Sequence, residues 1–489
     1  MRYRKTSIWQ TVDWITILLF ALLVIAGWFS ICGASYDFDN TGLFDPSGRP
    51  GSQLIWIGTS IVLIFIIMML ESDFYDIFAY LIYGLVILLL VFTIVGALVN
   101  LPIVPDIKGS RSWLVLGPIR LQPAEFAKFA TALALAKLMN GYGFKLNTVK
   151  NFAVSLLLIL MPMVCILLQK ETGSALVYLA FFLVLYREGM SGYILLAGFC
   201  AVLYFVTGIK YGEDIVGVTP LGELLVSVMI LIISTFLVWL IRKDKQTILI
   251  LLGTFAVAFA GGYIASLFMP VNFAWISYGL IAGMALYLFF LSFKKWVWSY
   301  ALIALFALFS VVFLYSVDYV FDNVLESHQQ IRIRVSLGLE DDPSGAGYNV
   351  NQSKIAIGSG GLIGKGFLNG TQTKLKYVPE QDTDFIFCTV GEEQGFLGAT
   401  AVLILFGVFI IRLIMLAERQ GNAFGRVYGY SVASIFLFHV VINIGMVTGL
   451  TPVIGIPLPF FSYGGSSLWG FTILLFIFLR LDASRKERT

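Results

Sequence analysis

Glu125 and Lys128 stand three residues apart at the head of an apolar run, behind Gln122 and Pro123 and shortly after Lys108-Gly109-Ser110-Arg111-Ser112-Trp113. Proline suits a first helical turn, and residues three apart share a helix face. An ionisable group at the middle of a bilayer costs about 2.5–3.5 kcal/mol, so the pair is expected to face a protein interior or a wet cavity. An interfacial ion pair that closes the helix is the plain alternative. A second gathering of charge is Arg332 and Arg334 ahead of Glu340-Asp341-Asp342-Pro343-Ser344-Gly345. Crowded carboxylates raise one another's pKa and can leave one poised as a base, while guanidinium forks match phosphate oxygens. Spacing does not choose among the three acids, and an acidic turn in water explains them as well.

Beyond them runs Gln352-Ser353-Lys354, then Gly358-Ser359-Gly360-Gly361-Leu362-Ile363-Gly364-Lys365-Gly366. A nucleotide phosphate loop needs glycine five residues before its Gly-Lys and a hydroxyl after it; Ser359 and Gly366 stand there, which rejects that reading. Gln352, Lys354 and Lys365 remain candidate substrate contacts. So do Glu380 and Asp384 in the stretch before Glu392 and Glu393, with helix capping by Thr383 or Asp384 as the alternative. Lys170-Glu171 lies in a tight loop that solvation alone accounts for. Between Asn443 and Ser467, Pro452, Gly455, Pro457, Pro459, Gly464 and Gly465 mark a broken, re-entrant backbone. His439, just before it, reads as a structural hydrogen-bonding group.

The elements that must position these groups follow from composition. The 489 residues are 59% hydrophobic and 12% charged, against roughly 25% charged in soluble domains, so lipid is the solvent. Apolar runs near 13–33, 53–71, 76–99, 122–139, 152–168, 174–186, 191–209, 222–241, 247–268, 274–293, 299–318, 397–416, 427–448 and 465–481 predict about fourteen helices. The fold class is therefore all-α, a polytopic membrane bundle. Residues 319–396 form the one long polar stretch, whose glycines predict loop more than helix. The first run is read as a retained anchor. Four cysteines without CxxC spacing indicate neither zinc nor a disulfide framework, and a net charge of +3 without a basic block excludes nucleic acid as a partner.

Lys and Arg in short loops are retained in the cytoplasm. Placing Arg2, Arg4 and Lys5 inside also puts inside residues 242–245, Lys294-Lys295, Arg419, Arg426 and the basic tail, with Asp37, Asp39 and Asp45 outside. Both termini are then cytoplasmic and 319–396 is extracytoplasmic.

Five segments in this order resemble the shape, elongation, division and sporulation (SEDS) proteins, and within them the RodA-type peptidoglycan glycosyltransferases: GSRSW with QPAE, QKETGSALV, DDPSGAGYNVNQSKIAIGSGGLIGKG, PEQDTDFIF with GEEQG, and NIGMVTGLTPVIGIPLPFFSYGGSS. The resemblance implies a ten-helix core made of residues 1–209 and 397–489. Residues 210–318 are an insertion of about four extra helices, and 319–396 is the catalytic loop. It implies polymerisation of lipid II, a disaccharide-peptide on undecaprenyl pyrophosphate, outside the bacterial cytoplasmic membrane. The family's essential aspartate falls on Asp342 and its conserved helix pair on Glu125 and Lys128. An α-linked donor and a β-1,4 product imply one inverting displacement, with Asp342 as base; Arg332, Arg334, Lys128 or a divalent cation (Mg2+ or Mn2+) would steady the pyrophosphate. No organic cofactor is implied, and the partner implied is a class B penicillin-binding transpeptidase. Ser112, Lys170-Glu171 and Asp382 depart from the family's usual residues. A flippase for the same lipid is the rival; the expected clustering of polar groups outside favours the enzyme.

Overall fold

In lipid an apolar run satisfies its backbone only by coiling into a helix, and the computed structural model is helical wherever the hydropathy demands it. It describes residues 8–35, 42–107, 109–117, 119–325, 327–340 and 346–488. Among these, twelve helices are long and apolar enough to cross a membrane. The other two expected runs are also helical, as the short Pro123–Met139 and the interrupted Thr172–Arg187.

The chain forms two compact units, one of Met1–Ser191 with Tyr348–Thr489 and the other of Gly192–Gly347. The first opens with α1 (Ile8–Thr11), α2 (Trp14–Ala34), α3 (Arg49–Met69) and α4 (Ser72–Leu98). A small antiparallel hairpin, β1 (Leu114–Leu116) and β2 (Ile119–Leu121), leads into α5 (Pro123–Met139) and α6 (Val149–Leu168). Then come α7 (Thr172–Leu176), a 3-10 turn at Val177–Ala180 and α8 (Phe181–Arg187). The second unit holds α9 (Gly192–Lys210), the two-residue strands β3 (Ile215–Val216) and β4 (Thr219–Pro220), α10 (Leu221–Arg242), α11 (Lys245–Ser266), α12 (Phe273–Lys295), α13 (Trp298–Asn323) and α14 (Ser327–Ser336). The chain rejoins the first unit through α15 (Ala346–Ser359), followed by α16 (Thr371–Lys374), α17 (Ile386–Glu418), α18 (Ala423–Thr448) and α19 (Gly465–Arg488).

The polar stretch 319–396 is more helical than its glycine content suggests, since α14, α15, α16 and the start of α17 occupy much of it. Its glycines gather where backbones meet. Gly364 (φ 84°) lies so close to α17 that a Cβ would sit 2.2 Å from the Glu393 carbonyl oxygen. Gly395, left-handed within α17 (φ 65°), meets the Gly364 amide in the same way. α17 therefore begins at Ile386, ahead of the run expected from residue 397, and kinks at Gly395.

α5 is the central helix of the first unit, packed on α4, α6, α18 and α19. Ala124, Ala127, Ala130, Ala132, Ala134 and Ala136 are all buried on it. Small side chains let neighbouring backbones approach closely where lipid supplies no hydrophobic drive between helices. That close packing fixes whatever α5 carries in its first turn.

Candidate functional site

α5 starts at Pro123 with Gln122 as its cap, and the next turn carries the charged pair. Lys128 Nζ donates to Glu125 Oε2 at 2.8 Å, and both side chains are only 2% exposed. The pair thus faces the protein interior, as its cost in lipid requires. Its second partner comes from 311 residues away, where His439 Nε2 lies 3.1 Å from Lys128 Nζ. His439 Nδ1 stands 3.0 Å from the Pro457 carbonyl. A carbonyl only accepts, so Nδ1 carries the ring proton and Nε2 accepts from the ammonium. Phe471 covers the cluster, with Lys128 Nζ 4.6 Å from its ring centroid.

Pro457 belongs to the stretch between α18 and α19, which is the expected broken backbone, buried at Leu458, Phe460 and Phe461. Such backbone survives at membrane depth only when its polar groups find partners, and here side chains supply them. Asn443 Nδ2 donates to the Ile456 and Asp384 carbonyls at 2.7 and 2.8 Å. Ser462 Oγ donates to the Thr383 carbonyl at 2.7 Å and accepts from the Leu458 amide at 2.8 Å. Ser466 Oγ bonds the Arg120 carbonyl at 2.7 Å, and the Tyr463 amide bonds the Asp382 carbonyl at 2.8 Å. The loop 449–464 is thereby stitched to α18 and to the segment before α17, while the first turn of α19 is tied to β2.

The glycine run has the same logic. The amides of Lys365 and Gly366 donate to the Glu392 and Glu393 carbonyls at 3.1 and 2.9 Å, so they bind protein and cradle no phosphate. Lys365 Nζ meets Glu392 Oε1 at 2.7 Å, and the same carboxylate accepts from the Gln372 and Thr373 amides at 2.8 and 2.9 Å. On α15, Ser353 Oγ bonds the Val447 carbonyl at 2.7 Å, which docks the helix on the end of α18. Gln352 is half-buried and Lys354 exposed, its ammonium lying against Gly449. Glu380 is exposed in a left-handed turn and accepts from Thr383 Oγ1 at 3.2 Å, and half-buried Asp384 faces Gly455. Arg332 and Arg334 sit on α14 in the second unit, Arg334 5.5 Å from the Phe321 ring centroid. Asp342, with Asp341, lies outside the described residues.

Two features escape a reading of the sequence. A cleft of about 480 Å³ collects Arg49, Lys376, Glu380, Gln381 and Asp382 at the ends of α2 and α3. There Arg49 forms an ion pair with buried Asp382 and lies 5.5 Å from the Tyr463 ring centroid. Nothing in the spacing of Arg49 marks it; only the unusual acid at 382 was a signal. Likewise Ser112 Oγ donates to Glu171 Oε2 at 2.8 Å, so two departures from the SEDS pattern are partners of each other. Glu171 is more than a solvated loop acid.

A family model for cell cycle proteins of the FtsW, RodA and SpoVE type matches residues 13–214 and 223–487. The chain belongs to the FtsW/RodA/SpoVE family. Within that family, the peptidoglycan glycosyltransferase RodA of Treponema pallidum is 32% identical over 432 residues, covering 88% of this chain and 89% of that protein. The peptidoglycan glycosyltransferase MrdB of Escherichia coli K12 is 29% identical over 74% of this chain and 68% of its own length. A chain solved in a peptidoglycan synthase complex that coordinates polymerisation and crosslinking is 26% identical, with a TM-score of 0.59 and coverage of 97% of this chain and 98% of that one. Thermus thermophilus RodA shares the fold at a TM-score of 0.54 and 23% identity, over 97% of both chains. As a member of the FtsW/RodA/SpoVE family, the chain is a multi-pass membrane protein.

Proposed function

We propose that this chain is a peptidoglycan glycosyltransferase that polymerises lipid II into glycan strands for cell elongation and shape. The observation that carries the reading is the buried Glu125–Lys128–His439 cluster clamped to a re-entrant loop, in a chain whose relatives over most of its length are named peptidoglycan glycosyltransferases. In this reading Asp342 takes the proton of the acceptor hydroxyl, the α-linked pyrophosphate leaves in line, and a β-1,4 bond forms with inversion. Arg332 and Arg334 meet the charge of the leaving group. Gln352, Lys354, Lys365, Glu380 and Asp384 contact substrate at the rim. Lys128 and Glu125, both committed to internal partners, act by holding the loop 449–464 through His439.

A divalent cation, Mg2+ or Mn2+, would enter with the pyrophosphate. The setting is the bacterial cytoplasmic membrane with both termini inside and 319–396 outside, and residues 210–318 are an addition to a ten-helix core. The partner is a class B penicillin-binding transpeptidase, a reading supported by the likeness to a chain of a synthase complex.

The test is full-length protein in liposomes given labelled lipid II, with strand length read on a gel. Wild type lengthens strands and Asp342→Asn loses nearly all activity. Full activity of that variant would end the assignment of the base, and movement of lipid II between leaflets without lengthening would favour the flippase.

A further inference from the structure

The second unit turns twice at one end of its helices. α10 closes on Arg242 and passes through left-handed Lys243 (φ 52°) into α11 at Lys245. α12 closes on Lys295 and passes through left-handed Trp296 (φ 54°) towards α13, which opens on Trp298. The two turns are tied together by one acid, because Asp244 Oδ2 accepts from Lys295 Nζ at 2.6 Å and from Tyr300 Oη at 2.7 Å. Asp244 also caps α11 through Thr247. One base is thus neutralised, while Arg242, Lys243, Lys245 and Lys294 stand exposed with no acidic partner among the described residues. Arg242 leans on the Tyr300 ring and Lys294 on the Phe290 ring, which fixes where their charges point. Around them Trp296 is 88% exposed, Trp298 79% and Phe293 77%.

The opposite end of the same helices mixes both signs, with Glu213, Asp214, Glu223 and Asp322 beside Lys210 and the α14 arginines Arg332 and Arg334. Cations without acidic partners therefore gather at the turn end, and they come with indoles at the same level. Indole is a side chain of the membrane–water boundary, apolar in its body with one N–H to offer. A soluble anion would have no use for three exposed aromatic rings; a phosphodiester headgroup with acyl chains below it uses both the cations and the rings.

We propose that this end of the unit is a binding site for anionic phospholipid headgroups, with Arg242, Lys243, Lys245 and Lys294 around the phosphate and Trp296 and Trp298 seated at the boundary. The site is preorganised, because the Asp244 clamp sets the two turns side by side before any lipid arrives. It is independent of the catalytic reading.

The experiment uses full-length protein in nanodiscs of equal phosphatidylglycerol and phosphatidylcholine, with retained lipid counted by native mass spectrometry. Wild type retains the anionic lipid in preference. Each of R242Q, K243Q, K245Q and K294Q lowers that preference, by roughly five-fold per charge at the surface, and the quadruple variant abolishes it. The charge-keeping triple variant K243R/K245R/K294R retains it, and K210Q at the other end leaves it unchanged. Should the quadruple variant fail to fold, K243Q and K245Q on the exposed turn carry the measurement. An undiminished preference in those variants, an equal loss in K210Q, or displacement of the lipid by excess inorganic phosphate would overturn the proposal.

Discussion

The two compact units treat polar side chains in opposite ways. In the second unit the buried polar groups are mostly hydroxyls, and they turn back on their own helix: Ser227 bonds the Leu224 carbonyl at 3.0 Å, Thr235 that of Leu231 at 2.8 Å and Ser277 that of Phe273 at 3.1 Å. The core around them is apolar, built on Val226, Ile230, Leu288 and Tyr300, and full charges stay at the helix ends. In the first unit buried charges reach beyond their own element, Lys128 on α5 to His439 on α18 and Glu392 on α17 to Lys365 in the loop after α15. A hydroxyl satisfied within its own turn adds little beyond solubility in lipid. A charge satisfied hundreds of residues away fixes the relative position of several helices, and that is what a site needs.

The largest effect that would test this contrast is at Lys128. Lys128→Met leaves Glu125 charged and alone in the interior, which costs about 3–5 kcal/mol. Thermal unfolding and strand synthesis should both collapse, whereas Thr235→Val in the second unit should cost no more than about 1.5 kcal/mol, the net worth of one hydrogen bond. Equal losses would erase the distinction. Next comes Glu392→Gln, which weakens hydrogen bonds to a charged acceptor worth about 1.5–3 kcal/mol. The expected sign is faster proteolysis within 360–380, with the helices of the second unit protected as before. The smallest effect is at Asp244, whose carboxyl is held below its usual range by the hydrogen bonds of Lys295 and Tyr300. A depressed folded pKa contributes stability that is complete above about pH 3.9 and is lost as the pH falls further. The melting gap between wild type and Asp244→Asn should therefore shrink on acidification below that value; a gap that widens would show that the turns are held by something else.

How far the sequence could be read follows the same division. The fourteen apolar runs declare themselves because lipid imposes one length and one backbone solution. Glu125 and Lys128 stand out because charge in such a run is costly, and the loop 449–464 because prolines and glycines break a span. What stays hidden is pairing at long range. Arg49 is an ordinary surface cation until Asp382 arrives from the far side of the chain, and Ser112 and Glu171 look like unrelated substitutions until they touch. Gly360 and Gly364 announce close approach without saying to what; the answer is the backbone of α17.

The chain of contacts from Glu125 through Lys128 and His439 ends on a peptide carbonyl. A carbonyl oxygen accepts a hydrogen bond and passes no proton onward, so the row of titratable groups is a blind alley and no conducting wire. Liposomes carrying this protein should therefore hold a pH gradient as well as empty ones.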